Sequence, residues 1–344
     1  MKKSMLKLFG LLVIFSLACV SCDSDDEPAA EPDSKVVADL KKGIIKGNLT
    51  ENFTLDATIS YELTSSFTIE KGVTFTVPEG TKITATKGGT DVYIAVLKGG
   101  KININGTADK PVVMSSQDAK PSDWGGLTIC GEATTTAGVD ATAEVGNFKY
   151  GGTKDNDNSG TIQYLVIKGT GAQINQESQY NGVSLYAVGS GTKIDHVAVI
   201  NGADDGFEFF GGTVSASQLY LENNEDDSVD WTEGWSGKVT DTYISHTIAG
   251  FSTAFEGDKV NNNPQFQNLT AISTVGGTAL QFKKESGATI NNIFLSGYDK
   301  NIDMKDGGPL ANVVIDGKTA TTSNAYDGGT KIDISGWSWR EAGL

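Results

Sequence analysis

The chain has 344 residues, 42 of them glycine, and 43 acidic against 27 basic side chains give a formal charge of −16. Such a surface repels nucleic acid and other polyanions and attracts divalent cations, so nucleic-acid binding is not expected. Neither a P-loop, a GxSxG, an HExxH nor a glycine-rich dinucleotide turn occurs, which argues against nucleotide-dependent chemistry.

In chain order, Lys2, Lys3 and Lys7 precede an apolar run over residues 8–20, too short for an ordinary membrane span and built like an export signal. Cys19 and Cys22 each follow a small residue, Ala18 and Ser21. Cys22 is the expected lipid attachment site, because the acidic, proline-containing stretch DSDDEPAAEPDS follows it and reads as a disordered tether. The expected division is a signal over 1–21, a tether over 22–34 and a single body over 35–344. This leader resembles those of Bacteroidota lipoproteins, and the resemblance implies an outer-membrane anchor facing the cell exterior. Removal of the signal would leave Cys130 as the one other thiol, so neither an internal disulfide nor a cysteine metal site is expected. Residues 35–47, KVVADLKKGIIKG, read as a short helix or a first strand that caps the body.

From residue 183 onward a repeat emerges. Val183-Ser-Leu185, Phe207-Glu-Phe209, Val229-Asp-Trp231, Phe255-Glu-Gly257, Leu280-Gln-Phe282 and Ile302-Asp-Met304 follow one another at steps of 24, 22, 26, 25 and 22 residues. A second beat runs in phase through Ile162–Ile167, Ile194–Val199, 218–221, 242–245, 266–269, 290–295 and 312–315. Gly and Asn punctuate it, as at Asn201-Gly202, Gly211-Gly212 and Asn223-Asn224, and both tolerate the left-handed backbone of sharp corners. A near-constant step means stacked coils, each with at least two short strands. The pattern, with FTIEKGVTFTVPEGTKITA (67–85) and GGKININGTADKPVVMSSQDAKPSDWGGLTI (99–129) as opening coils, resembles the right-handed parallel β-helix of pectate lyases, polygalacturonases and many bacterial surface proteins. The expected fold is therefore all-β, a single right-handed parallel β-helix. Residues 132–160 break the repeat as an insertion. The tail, with Trp337 and Trp339, is expected to cap the C-terminal end.

Stacking places Ser184, Glu208, Asp230, Glu256, Gln281 and Asp303 in one column on the outer face of a sheet. Asp204-Asp205 and Asp226-Asp227 repeat one coil apart at the preceding corner. Adjacent strands ~4.8 Å apart would bring these like charges together, which requires a cation, raised pKa values or nearby donors. Three readings compete. Asp204, Asp205, Glu208, Asp226, Asp227, Asp230 and Glu256 could hold Ca²⁺, which takes hard oxygen ligands in number. They could act as acid and base on a polysaccharide, as in a lyase or glycoside hydrolase, with Lys238, Lys283, Lys284 and Lys305 as available bases. Or they could be structural, with Asp bonding its own turn backbone. The polygalacturonase resemblance rests on the paired Asp of GADDGFEF; the His-Gly and Arg-x-Lys signatures of that family are missing in the expected order. Phe207, Phe209 and Trp231 are expected inside, and Trp235 in EGWSG is the candidate exposed ring for stacking on a sugar. The expected function is non-enzymatic binding of a polysaccharide or a surface protein through this carboxylate-rich face, with Ca²⁺ as the possible cofactor. The alternatives are the enzyme at the same face and a structural or adhesive surface protein.

Overall fold

The computed structural model describes residues 34–344 apart from 177, 260, 262–263 and 307–309. The signal, Cys19, Cys22 and nearly all of the tether lie outside the described residues. The body is a parallel β-helix whose strands form three sheets, one more than the two beats alone require. In an N-terminal coil the chain passes Thr74–Pro78, Lys82–Ala85 and Ile94–Val96 in turn, and the next coil stacks Lys101–Asn105, Val112–Ser116 and Leu127–Cys130 on them in parallel.

Further along, the first two strands of each coil fuse into one bent strand. Gly160–Lys168 pairs through 160–163 with the first sheet and through 165–168 with the second. The bend is a single left-handed residue, repeated in register at Tyr164, His196, Gln218, Asp241, Asn268 and Asn292 with φ between +49° and +58°. Asn, Asp and His adopt this conformation more readily than other side chains, and three of the six corners are joined to one another. Asn292 Nδ2 donates to Asn268 Oδ1 (2.9 Å), and Asn268 Nδ2 donates to Asp241 Oδ1 (2.8 Å). This corner lies inside what the sequence presents as one apolar beat.

Both ends of the solenoid are closed. At the N-terminus Ser34 Oγ accepts from the Val37 N–H (3.3 Å) and starts helix Lys35–Leu40, which buries Val37 and Leu40 against the first coil. At the C-terminus the antiparallel pair Val313–Ile315 and Lys318–Thr319 ends the parallel stacking, and Ala320 and Tyr326 complete the core. Trp337 and Trp339 do not cap this end as expected. The tail runs back across the outside of the second sheet, where the Ile332 N–H donates to Thr270 Oγ1 (2.9 Å) and Trp339 meets Tyr164 edge-on at 5.9 Å. The cause is the sheet itself: its outward residues Val113, Val166, Ala198, Tyr220 and Tyr243 are apolar or aromatic, and the tail buries them.

The insertion spans 131–159, between the strands ending at Cys130 and starting at Gly160. It covers the third sheet, setting Ala143, Val145 and Tyr150 against Cys130, Tyr186 and Phe210. Cys130 is wholly buried, as a small hydrophobe, and burial pushes its thiol up to about 12. On the first sheet no outward residue among Gln163, Asp195, Ser217, Thr240 and Gln267 is buried.

Inside, Phe207, Phe209 and Trp231 are fully buried, as expected. Trp235 is not the exposed ring the sequence suggested. It is also fully buried, stacked on Phe209 at 4.2 Å, and its Nε1–H donates to Val214 O (2.9 Å). The EGWSG turn folds inward because the indole finds an aromatic face in Phe209 and a carbonyl for its N–H. Trp235→Ala should therefore cost about 3–5 kcal/mol in urea unfolding; a loss below about 1 kcal/mol would contradict this packing.

Candidate cation site

The third sheet holds the carboxylates in the register that the repeat implies. Ser184 pairs with Glu208, Glu208 with Asp230, Asp230 with Glu256, Glu256 with Gln281 and Gln281 with Asp303. At the preceding corner Asp205 Oδ1 accepts the Asp227 N–H (2.8 Å), which locks the two coils together. The seven expected ligands form three overlapping triads: Asp204, Asp205 and Asp226; Asp205, Glu208 and Asp230; Asp227, Asp230 and Glu256. Within each, one oxygen per residue lies within 4.8 Å of the others. Oxygens that share a Ca²⁺ at 2.3–2.6 Å are separated by no more than about 5 Å, so the spacing fits that ion.

The column faces outward but is not open. Asp204, Asp205, Asp227, Asp230 and Glu256 are buried, and Glu208 and Asp226 are half-buried. The loop between Lys168 and Val183 lies against them: Asn181 Nδ2 donates to Glu208 Oε2 (2.7 Å), and Gln179 Nε2 to Asp204 Oδ1 (3.2 Å). The insertion adds Glu144, an exposed carboxylate whose charge helps to raise the Asp204 and Glu208 carboxyls. Its neighbour Glu233 is held by Tyr150 Oη and Thr135 Oγ1, each at 2.8 Å.

Burial, and then mutual repulsion, sets the electrostatics. The Asp204 carboxyl is pushed up to about 8, by burial first and by Asp226 next. Those of Asp205, Glu208, Asp227 and Asp230 are held well above the usual carboxylate range by burial, with neighbouring carboxylates adding to it. One end of the ladder is neutralised by the chain itself, since Glu256 accepts from both Lys283 Nζ and Gln281 Nε2. Lys284 pairs with Asp258 (3.3 Å), and Lys238 stands on the first sheet, so neither serves as a base here.

Several buried oxygens are left without a partner, Thr128 Oγ1 and Tyr186 Oη of the same sheet among them, and two of them belong to groups that hold or touch the ladder. Asp230 Oδ1 and Asn181 Oδ1 have no hydrogen-bond partner. An orphaned buried oxygen costs about 1–3 kcal/mol, more when charged, and two beside a carboxylate cluster suit a cation rather than a donor. Asn181 was not singled out from the sequence. Its signal was available: Asn181-Gly182 sits one coil before Asp205-Gly206, and the Gly182 N–H donates to Asp205 O (2.8 Å).

The histidines take no part. His196 Nδ1 lies 2.7 Å from Asp195 Oδ1 at a corner and stacks on Tyr164. His246 is buried between Ser228 Oγ (3.2 Å) and Tyr298 Oη (3.0 Å), and burial lowers it to about 4, leaving it neutral. A groove of about 500 Å³ lies at the corner between the second and third sheets, but none of the seven carboxylates lines it. The ladder carboxylates and the groove are therefore separate features of the surface.

A family model described as a pectate-lyase like beta helix domain matches residues 47–333. The search of curated proteins finds no match, and the search of solved structures finds none either.

The raised carboxyls make a signed prediction. Each holds a proton in the folded state that the unfolded chain releases near pH 4, so its stabilisation is complete below that pH and is lost as pH rises through the folded value, about 8 for Asp204. In chelator the melting temperature should fall from pH 6.5 to pH 9, and the fall should shrink in Asp204→Asn. His246 acts oppositely, losing its contribution as pH drops from its ordinary 6.5 through about 4. A flat profile in chelator from pH 6.5 to 9 would contradict the buried ladder.

Proposed function

This chain belongs to the family of pectate-lyase-like β-helix domains, and on that scaffold we propose a non-enzymatic binding protein of the cell surface. Its carboxylate ladder holds Ca²⁺, and it is anchored to the outer membrane through lipid on Cys22. Its ligand is a glycan or a surface partner. The observation that carries the reading is the enclosed ladder with an unpartnered, buried Asp230 Oδ1. A polymer substrate has no path to carboxylates that lie under the 169–182 loop and the insertion, whereas a small cation fits among them.

Asp205, Glu208 and Asp230, with the Asn181 carbonyl oxygen, would hold the ion. The triad around Glu256 already has the Lys283 ammonium. The ion would supply positive charge to a site that otherwise retains protons. The chain's own contribution is to hold the oxygens in register, exclude water and keep the loop over them. The membrane anchor rests on the sequence of residues 1–34. Among the described residues no helix is long and apolar enough to cross a membrane.

Melting the full chain in EDTA and then in Ca²⁺ tests the ion. At a concentration a hundredfold above the dissociation constant, Ca²⁺ should add about 2.7 kcal/mol, and Glu208→Gln/Asp230→Asn should abolish the rise. No rise in the parent chain would refute the ion. For the anchor, Cys22→Ser should move the protein from the membrane fraction to the soluble fraction and end its labelling by a fatty-acid probe; continued labelling would place the lipid elsewhere.

A further inference from the structure

The corner groove has walls and a floor built for a ligand. Its floor is the pair of left-handed corners Asn201 and Asn223, at φ +57° and +52°. Each asparagine braces one wall. Asn201 Nδ2 donates to Ala119 O (3.4 Å), and Asn223 Oδ1 accepts the N–H groups of Thr247 (2.8 Å) and Ile248 (3.2 Å). The second wall is apolar: Ile248 is 61 % exposed, and Phe251 is half-buried with its ring stacked on His246. Isolated exposed apolar residues are ordinary, but here two share one wall of a concavity of about 500 Å³, inside the range of small-ligand sites.

Lys120 on one side and Glu225 on the other are exposed, and no ion pair engages either among the described residues. A third charged lining residue, Asp118, is engaged by Lys87, so the groove offers a free donor, a free acceptor and an apolar wall. Sugars present that combination: hydroxyls that donate and accept, and ring faces of C–H groups. A polyanion is disfavoured by the overall charge of −16. The groove also meets the ladder, because the Asp226 carbonyl accepts the Ser252 N–H (3.0 Å) and Asp226 belongs to the outermost triad.

We propose that this groove is the glycan site and that it takes a neutral polysaccharide, its ring face on Ile248 and Phe251 and its hydroxyls on Lys120 and Glu225. The ion held by Asp205, Glu208 and Asp230 steadies the adjoining corner, since the Asp227 N–H at the start of the ladder strand donates to Asp205 Oδ1. This rests on the cation reading above and adds the ligand's class and place.

The test is affinity electrophoresis of the full chain through gels containing a neutral glucan, a mannan, a xylan or polygalacturonate, in Ca²⁺ and in EDTA. Retardation by at least one neutral polymer and not by polygalacturonate is expected. The apparent dissociation constant should rise about tenfold or more in Lys120→Ala/Glu225→Ala, whose exposed side chains leave the fold intact, and in Ile248→Ser. Retardation by none of the neutral polymers, by polygalacturonate alone, or unchanged in both groove variants overturns the assignment. Melting the same samples separates the two readings. A Ca²⁺-dependent rise without glycan retention leaves the ladder and removes the groove. Equal retention in EDTA and Ca²⁺ removes the part given to the ion.

Discussion

The structure depends on one constraint, the in-register stacking of parallel strands ~4.8 Å apart. Every residue meets the equivalent residue of the next coil, so each side-chain type is amplified into a column. Inside, this is favourable: Val183, Phe207, Val229, Phe255, Leu280 and Ile302 stack as one apolar column. For Glu208, Asp230 and Glu256 the same geometry forces like charges together. The ladder's surroundings are responses to that repulsion. Asn181 supplies a donor at one end and Lys283 an ammonium at the other, and the middle retains protons or takes a cation.

Protons and a divalent ion would compete for the same oxygens. Burial raises the proton affinity of Asp205, Glu208 and Asp230, because the charged form is the one that loses hydration. The same loss of water makes an uncompensated buried carboxylate costly, so a cation that replaces the protons meets oxygens already brought together. Ion uptake at this ladder would therefore release protons. Lys283 limits how far the effect spreads, since Glu256 is already compensated.

The three faces of the solenoid were given different fates by their outward residues. The second sheet presents Val166, Ala198, Tyr220 and Tyr243 and is covered by the C-terminal tail. The third presents Cys130, Tyr186 and Phe210 beside the carboxylates and is covered by the insertion. The first presents amides, hydroxyls and charges and stays bare. Covering a face with chain far away in sequence costs ordering entropy, which burial of aromatic surface offsets. The open ends, where unpaired strand edges would invite association, are blocked by the helix at Lys35–Leu40 and the antiparallel pair near residue 315.

The sequence by itself determined the stacked parallel architecture, the order of the carboxylate column and the inward Phe207, Phe209 and Trp231. These depend on local alternation and a repeated step, which are properties of neighbouring residues and their spacing. It could not reveal the bend hidden at Tyr164 and His196, because a single left-handed residue leaves the apolar beat uninterrupted. Nor could it place Trp235 inside, since a Trp in a Gly-flanked turn reads alike whether the turn folds in or out. Only the tertiary structure decided that the ladder is enclosed and that the tail lies along a sheet instead of across an end. Cover comes from segments with no periodicity of their own, the insertion over 131–159 and the tail beyond residue 326, and their positions follow from the apolar faces that needed burying.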